Sequence, residues 1–222
     1  MTIKQPLKII IFGIQASGKG TQAEKISRKF KIKHISIGEI FRKELKNNTV
    51  FGKKINKYIK SGDLVPDSIT NEIVENALNS KKFKKGFILD GYPRSIKQAE
   101  FLEKILKDSK VLIIKLDVSE KTVIKRISGR LMCPQCHRNY HTLYNKPRND
   151  ELCNKCKIKL IRREDDTPKA IKERIKIYYK ETDPLTRFYL KKQNRKLMEI
   201  NGERSINSVF KDIAEKINKE IQ

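Results

Sequence analysis

No apolar run in this chain approaches the ~18 residues that a membrane-spanning helix needs, and its first residues, MTIKQP, lack the apolar core of a signal peptide. A cytoplasmic protein away from membranes is expected. Cysteine is scarce, with four residues gathered in one short span, and without a secretory signal such a cluster favours reduced thiols over disulfides. Acidic residues are also few. Lys plus Arg number 51 against 26 for Asp plus Glu, a formal net charge of +25, which suits polyanionic partners from nucleotides to nucleic acid. The lysines run from Lys4 to Lys219 among many Ile and Asn, so the charge coats a surface instead of forming one basic stripe. At 222 residues the chain can bury one sizeable α/β core and carry inserted subdomains.

What is present begins with IIIFGIQASGKGT, residues 9–21. The apolar run Leu7 to Phe12 reads as a short buried strand ended by Gly13, and Thr21 to Phe30 reads as a helix. Between them, Gly13, four residues, Gly18 and Lys19 have the P-loop spacing, in which glycines let backbone N–H groups turn inward around phosphates and the lysine adds a point charge. The helix start directs its positive dipole end at the same anion. A glycine-rich turn can be only a tight turn, but here the strand before and the helix after supply the required context. Gly20 follows the lysine where Ser or Thr usually ligates magnesium, and the hydroxyl comes one place later at Thr21.

GKGTQA resembles the adenylate kinases and their nucleoside monophosphate kinase relatives. The resemblance implies that Ala16, Ser17, Gly18, Lys19, Gly20 and Thr21 bind the phosphates of ATP. The family commonly has Pro and Gly where this chain has Gln15 and Ala16. In KHISIGEIFRKEL, Ser36 is a candidate cap for a helix bearing Ile37, Ile40 and Phe41 on one side. Two more helices, Lys53 to Lys60 and Ser68 to Leu78, flank SGDLVPD. By resemblance this is a monophosphate-binding subdomain, residues 36–65, in which Arg42 binds phosphate and Asp63, Leu64 and Val65 surround base and ribose. Glu39 replaces the family's usual Asp, and Ile37 stands where a threonine often assists in reading adenine.

GFILDGYPRS reads as a central parallel strand delivering an acid, a turn and an arginine to the carboxyl edge of a sheet, where open α/β sheets bind ligands. Its DGYPR string is similar to the family's DGFPR. The likeness implies that Asp90 orients magnesium-bound water, that Gly91, Tyr92, Pro93 and Arg94 line the AMP site with Arg94 bridging the transferring phosphates, and that Gln98 reads the adenine of AMP. VLIIKLDV is a further strand, followed by a helix expected over Ser119 to Arg130, on which Arg126 and Arg130 would project from one face as a clamp. Such pairs are usually just solvated. The family's corresponding arginines close on ATP.

Cys133, Cys136, Cys153 and Cys156 form C-x2-C, sixteen residues, C-x2-C, the spacing of a four-thiolate zinc site. Four thiolates leave no open position, so the metal should be structural, substituting for a core that a roughly forty-residue insert cannot build. His137 and Lys157 stand where glycine is frequent after such pairs, and His137 is expected to face solvent. By resemblance the insert is a lid, residues 129–166, with Asn139 and Tyr140 on ATP. RREDD at its exit supplies Arg163, Asp165 and Asp166 in the family's RxDD pattern, and Arg174 follows as the next phosphate-binding arginine. Thr167 and Pro168 suit a helix cap and first position, with the helix running to about Tyr179. A helix over Pro184 to Leu190, a strand LMEI and a terminal helix from Ser205 to Ile221 complete the count, and Arg204 lies in a loop resembling the one that touches the adenine of ATP.

The likeness runs from Leu7 to the last helix. It implies an α/β P-loop nucleotide kinase over residues 1–222, with a five-stranded parallel sheet flanked by helices, a monophosphate-binding subdomain and a zinc-binding lid. The implied reaction is reversible phosphoryl transfer from Mg-ATP to AMP giving two ADP. Lys19, Arg94, Arg130, Arg163 and Arg174 would be catalytic, magnesium would come with ATP, zinc would be structural, and the chain would act as a monomer without nucleic acid. A kinase for another monophosphate would keep every block but change the base-reading positions. A zinc-ribbon nucleic-acid binder would explain charge and cysteines together, but not GKGT, DGYPR and RREDD.

Overall fold

The structure is a computed structural model that describes residues 6–149 and 151–221. The expected domain, 1–222, therefore includes residues 1–5, 150 and 222, which lie outside the described residues. In chain order the elements are β1 (Leu7–Gly13), α1 (Lys19–Phe30), β2 (Lys33–Ser36), α2 (Ile37–Lys46), α3 (Val50–Ser61), α4 (Asp67–Asn79), β3 (Gly86–Asp90), α5 (Ile96–Leu106), β4 (Val111–Asp117) and α6 (Glu120–Ser128). Then come β5 (Arg130–Met132), β6 (Asn139–His141), α7 (Pro168–Ile177), α8 (Leu185–Leu190), β7 (Arg195–Asn201) and α9 (Ile206–Ile221).

Five strands form a parallel sheet in the order β2-β3-β1-β4-β7, and β5 pairs antiparallel with β6 in a separate ribbon. The strand at the centre is β1, whose Ile9, Ile10 and Ile11 are fully buried. Successive side chains point to opposite faces. Ile9 and Ile11 therefore join Ala23 and Ile26 of α1 and Val209, Ile213 and Ile217 of α9, while Ile10 and Phe12 join Ala99 and Leu102 of α5 and the residues of α2 to α4. Burial on both faces is why the run is continuously apolar instead of alternating. β3 is interior but one strand off centre, between β2 and β1.

β1 pairs with β3 on one side and β4 on the other. The chain turns in opposite directions from β1 at this point, and the crevice beyond the carboxyl ends is where such sheets hold ligands. β2, a short strand, carries no hydrophobic pattern of its own. It forms because Lys33 to Ser36 lie in register beside Phe87 to Asp90.

Several boundaries differ from the sequence expectation. Ser36 precedes α2 but its hydroxyl caps nothing, because the residue is the end of β2 and already paired opposite Asp90. The helix expected at Lys53 starts at Val50, capped by Thr49, which accepts from the Gly52 N–H at 2.9 Å. The helix expected to reach Arg130 stops at Ser128, so Arg126 and Arg130 do not share a helix face. The helix ends on Gly129, where a Cβ would sit 2.4 Å from the His141 ring as the lid ribbon crosses. Thr167 does cap α7, accepting from Ala170 N–H with Pro168 in first position. The helical path then continues as a wider π turn over Tyr178–Thr182.

Candidate active site

The crevice beyond β1, β3 and β4 opens into a cavity of about 770 Å³, well within the range of small-molecule sites. One end is the phosphate loop. Gly13 has φ 150°, and a Cβ there would lie 2.5 Å from the Leu116 carbonyl, so the turn has no room for a side chain. Ala16, at φ 58°, takes the left-handed conformation without being glycine, which costs an L-residue ~1–2 kcal/mol. Ala16 therefore bears in this turn the strain that a glycine there would not. The Ser17 N–H donates to the Ile14 carbonyl at 3.1 Å, while the Ser17 hydroxyl is buried without a partner. Lys19 begins α1 and its Nζ donates to the Ile14 carbonyl at 3.2 Å.

Cations converge on this point. Burial pulls the Lys19 ammonium down to about 8; Asp90 opposes the shift, and Arg94, Arg130 and Arg163 add to it. Burial and the neighbouring Arg174 lower Arg94 to about 10, and burial with Arg42 and Arg130 lowers Arg163 to about 9. So many buried positive groups beside few carboxylates form a site shaped for a polyanion, which would restore each of them to its ordinary range. The Nε atoms of Arg42 and Arg163 are buried with no protein partner, donors that an anionic ligand in the cavity would satisfy.

The other arginines are held ready. Arg94 Nε donates to the Gly91 carbonyl at 3.0 Å, and Thr182 Oγ1 donates to the Arg94 carbonyl at 2.8 Å. Arg174 reaches Asp165 Oδ2 at 2.6 Å and the Ile59 carbonyl at 3.2 Å, tying α7 to the end of α3. Arg130, leaving α6 for the ribbon, forms an ion pair with Asp166, its Nε 2.8 Å from Oδ2. Arg163 donates to Asn139 Oδ1. Asp165 thus orients Arg174 and Asp166 orients Arg130, with Arg174 Nη1 also 3.8 Å from Asp166 Oδ1.

Asp90 ends β3 beneath Lys19. Burial alone would raise its carboxyl, but a hydrogen bond from His34 and the charges of His34, Lys19 and Arg94 win, and it stays below its ordinary value. His34 Nε2 lies 3.3 Å from Asp90 Oδ2. No motif marks His34; only the pairing of β2 with β3 brings it there.

Other expected residues take less direct positions. Arg126 donates to the carbonyls of Ser17 at 3.2 Å and Gly202 at 2.7 Å, bracing the phosphate loop against the loop after β7. Arg204 lines the same end of the cavity but its guanidinium pairs with Asp212. The Tyr140 hydroxyl turns toward the cysteines, 3.4 Å from Cys153 Sγ, and accepts from the Asn154 N–H. Ile37, Leu64, Val65 and Gln98 line the opposite end, with Asp63 at the rim bonded to Ser61. Both ends of the Gln98 amide are already engaged by protein groups, so it does not offer the donor-and-acceptor pair its residue type suggests.

The sulfurs of Cys133, Cys136, Cys153 and Cys156 all lie within 4.8 Å of one another. Cys136 and Cys153 are 3.6 Å apart, close to the edge of a tetrahedron with ~2.3 Å metal–sulfur bonds and far beyond a ~2.05 Å disulfide. The N–H of Cys136 points at Cys133 Sγ and that of Cys156 at Cys153 Sγ, as thiolate acceptors require. His137 and Lys157 have φ 56° and 59°, which explains why glycine is frequent at these two places. The cluster fits a zinc ion. His137 is not solvent-facing as expected: it is half-buried, its Nδ1 without a partner. Among the described residues no helix is long and apolar enough to cross a membrane.

A family model for adenylate kinase matches residues 11–194. The chain belongs to the adenylate kinase family. It is 45% identical over 210 residues to an adenylate kinase of Caldanaerobacter subterraneus subsp. tengcongensis, covering 93% of this chain and 94% of that one. Adenylate kinases of a Thermoanaerobacter species and of Listeria innocua are 42% and 44% identical, each over 93% of this chain and 96% and 97% of their own. Membership makes the protein a phosphotransferase of the nucleotide-binding, P-loop class.

Proposed function

We infer that the chain transfers the terminal phosphoryl group of Mg-ATP reversibly to AMP, giving two ADP. The observation that carries this reading is the convergence of Lys19, Arg94, Arg130 and Arg163 beside Asp90 in one buried cavity. Lys19 and the loop amides of residues 16–21 hold the donor phosphates. Arg42, Arg94 and Arg174 hold the acceptor and the moving group, and Arg130 and Arg163 neutralise charge from the lid side. Asp90 would help hold the hydrated magnesium that comes with ATP, and the ion would supply neutralisation of phosphate charge. No general base is needed, since the acceptor phosphate oxygen is already ionised at neutral pH; positioning and charge neutralisation do the work.

Residues 36–65 act as the monophosphate subdomain and 129–166 as the lid. The Lys46 ammonium donates to the Pro134 carbonyl at 3.0 Å, a contact between the two segments. Closure excludes water, whose attack would waste the triphosphate. The four cysteines would hold zinc, which would supply structure to the lid and no chemistry. The enzyme works in the cytoplasm as a monomer on ATP, AMP and ADP, without nucleic acid.

With ATP as donor, a coupled assay across AMP, CMP, UMP and GMP should give AMP the highest kcat/KM. Ile37 offers no hydrogen bond to a base, so selectivity should be modest, and Ile37→Thr should sharpen it severalfold, as one added hydrogen bond of ~1 kcal/mol allows. A higher kcat/KM for CMP or UMP would reassign the acceptor.

A further inference from the structure

We propose that Asp67 and Thr70, on the first turn of α4, are positioning residues that lock the Gln98 amide in one orientation, so that the acceptor site selects a base by its exocyclic amino group. This rests on the reading above, in which Gln98 faces the base of AMP.

Gln98 is 2% exposed. Its Nε2 donates to Asp67 Oδ1 at 2.7 Å and to Thr70 Oγ1 at 3.2 Å, and its Oε1 accepts from the backbone N–H of Arg94 at 2.8 Å. Each partner has a single polarity. A carboxylate only accepts and a peptide N–H only donates. The Thr70 hydroxyl proton is directed at the Pro66 and Asp67 carbonyls, each 3.2 Å away, which leaves its oxygen as an acceptor. Rotating the amide by half a turn would set oxygen against carboxylate and N–H against N–H, so the three partners fix the assignment together. A fourth contact holds the backbone: the Tyr92 hydroxyl lies 2.5 Å from Asn71 Oδ1 and 3.1 Å from the Gln98 carbonyl, joining α4 to the start of α5.

Both Nε2 protons are used, and the hydrogen-bonding capacity left on the side chain is one lone pair on Oε1. Gln98, Thr70 and Ile37 line the cavity, whereas Asp67 stands behind it. With Ile37 apolar, the edge read by Gln98 must donate. The 6-amino group of adenine does so. A 6-oxo purine presents an acceptor at that position, and its nearest donor, N1–H, is one ring position away, so the base must slide to use it. Freed from Asp67, the amide could turn and offer N–H to a 6-oxo group.

The test measures kcat/KM for AMP and IMP with the full-length enzyme and its Asp67→Ala, Asp67→Asn and Thr70→Val variants, each with its melting temperature. Asp67→Ala should lower the AMP-to-IMP ratio about tenfold, through a higher KM for AMP and better use of IMP. Asp67→Asn, whose side chain keeps an accepting oxygen but can also donate, should lower the ratio less than Asp67→Ala does. Thr70→Val, which preserves volume, should lower the ratio in the same direction and serves alone if Asp67→Ala does not fold. An unchanged ratio in Asp67→Ala or Thr70→Val, or equal losses in the Ala and Asn variants, would overturn the proposal while leaving AMP as the preferred acceptor. A wild-type enzyme that did not prefer AMP would overturn the function reading itself.

Discussion

Lys19→Ala is expected to lower turnover by at least ~100-fold, the loss that follows removal of one preorganised donor to developing charge. Its ammonium sits at the start of α1 against the loop carbonyl of Ile14, where the β and γ phosphates of the donor would lie. Stability should not suffer. The ammonium is pulled down to about 8 by burial, so the folded chain holds this proton less tightly than the unfolded one. Charged Lys19 therefore costs stability at neutral pH, a cost relieved as pH rises from about 8 toward the ordinary lysine range. The alanine variant should melt no lower than the wild type at pH 7. In the wild type, kcat/KM for ATP should fall as pH rises through about 8, and kcat at saturating ATP should fall only at higher pH, because bound phosphates restore the proton. A steady-state rate near normal in the variant would remove Lys19 from the reaction.

Stripping the metal is expected to lower the melting temperature strongly and to change turnover little in the cold. The lid's own core is Cys133, Tyr140, Cys153 and Leu160 with a few half-buried neighbours, too little to fold alone. Structural zinc supplies on the order of 10 kcal/mol in comparable small modules. Yet the sulfurs leave no coordination position open to a nucleotide. Elemental analysis should find one zinc per chain, and Cys133 and Cys153, both fully buried, should resist thiol reagents until chelator is added. Absence of transition metal together with four rapidly titrating thiols would contradict this account.

The sheet was legible in the sequence where strands are continuously apolar, as in Leu7 to Phe12 and Val111 to Val118, and illegible at Lys33 to Ser36, where tertiary pairing alone makes a strand. The phosphate loop, DGYPR, RREDD and the cysteine square could be found because each fixes chemistry by short spacing. Periodicity alone carries the helix on to Arg130, whereas the chain leaves it at Gly129, packed against the His141 ring, and Arg130 opens the lid ribbon. His34, Asp67 and Thr70 carry no local signal; they meet Asp90 and Gln98 only through long-range packing.

The most direct test of the central claim follows the phosphoryl group. With ATP labelled in the γ position and AMP as acceptor, the label should appear in the β position of ADP, one labelled ADP for every two formed, and the Lys19→Ala enzyme should release almost none. Label appearing in inorganic phosphate, or no transfer to AMP at all, would contradict a cavity built to pass phosphate between two nucleotides.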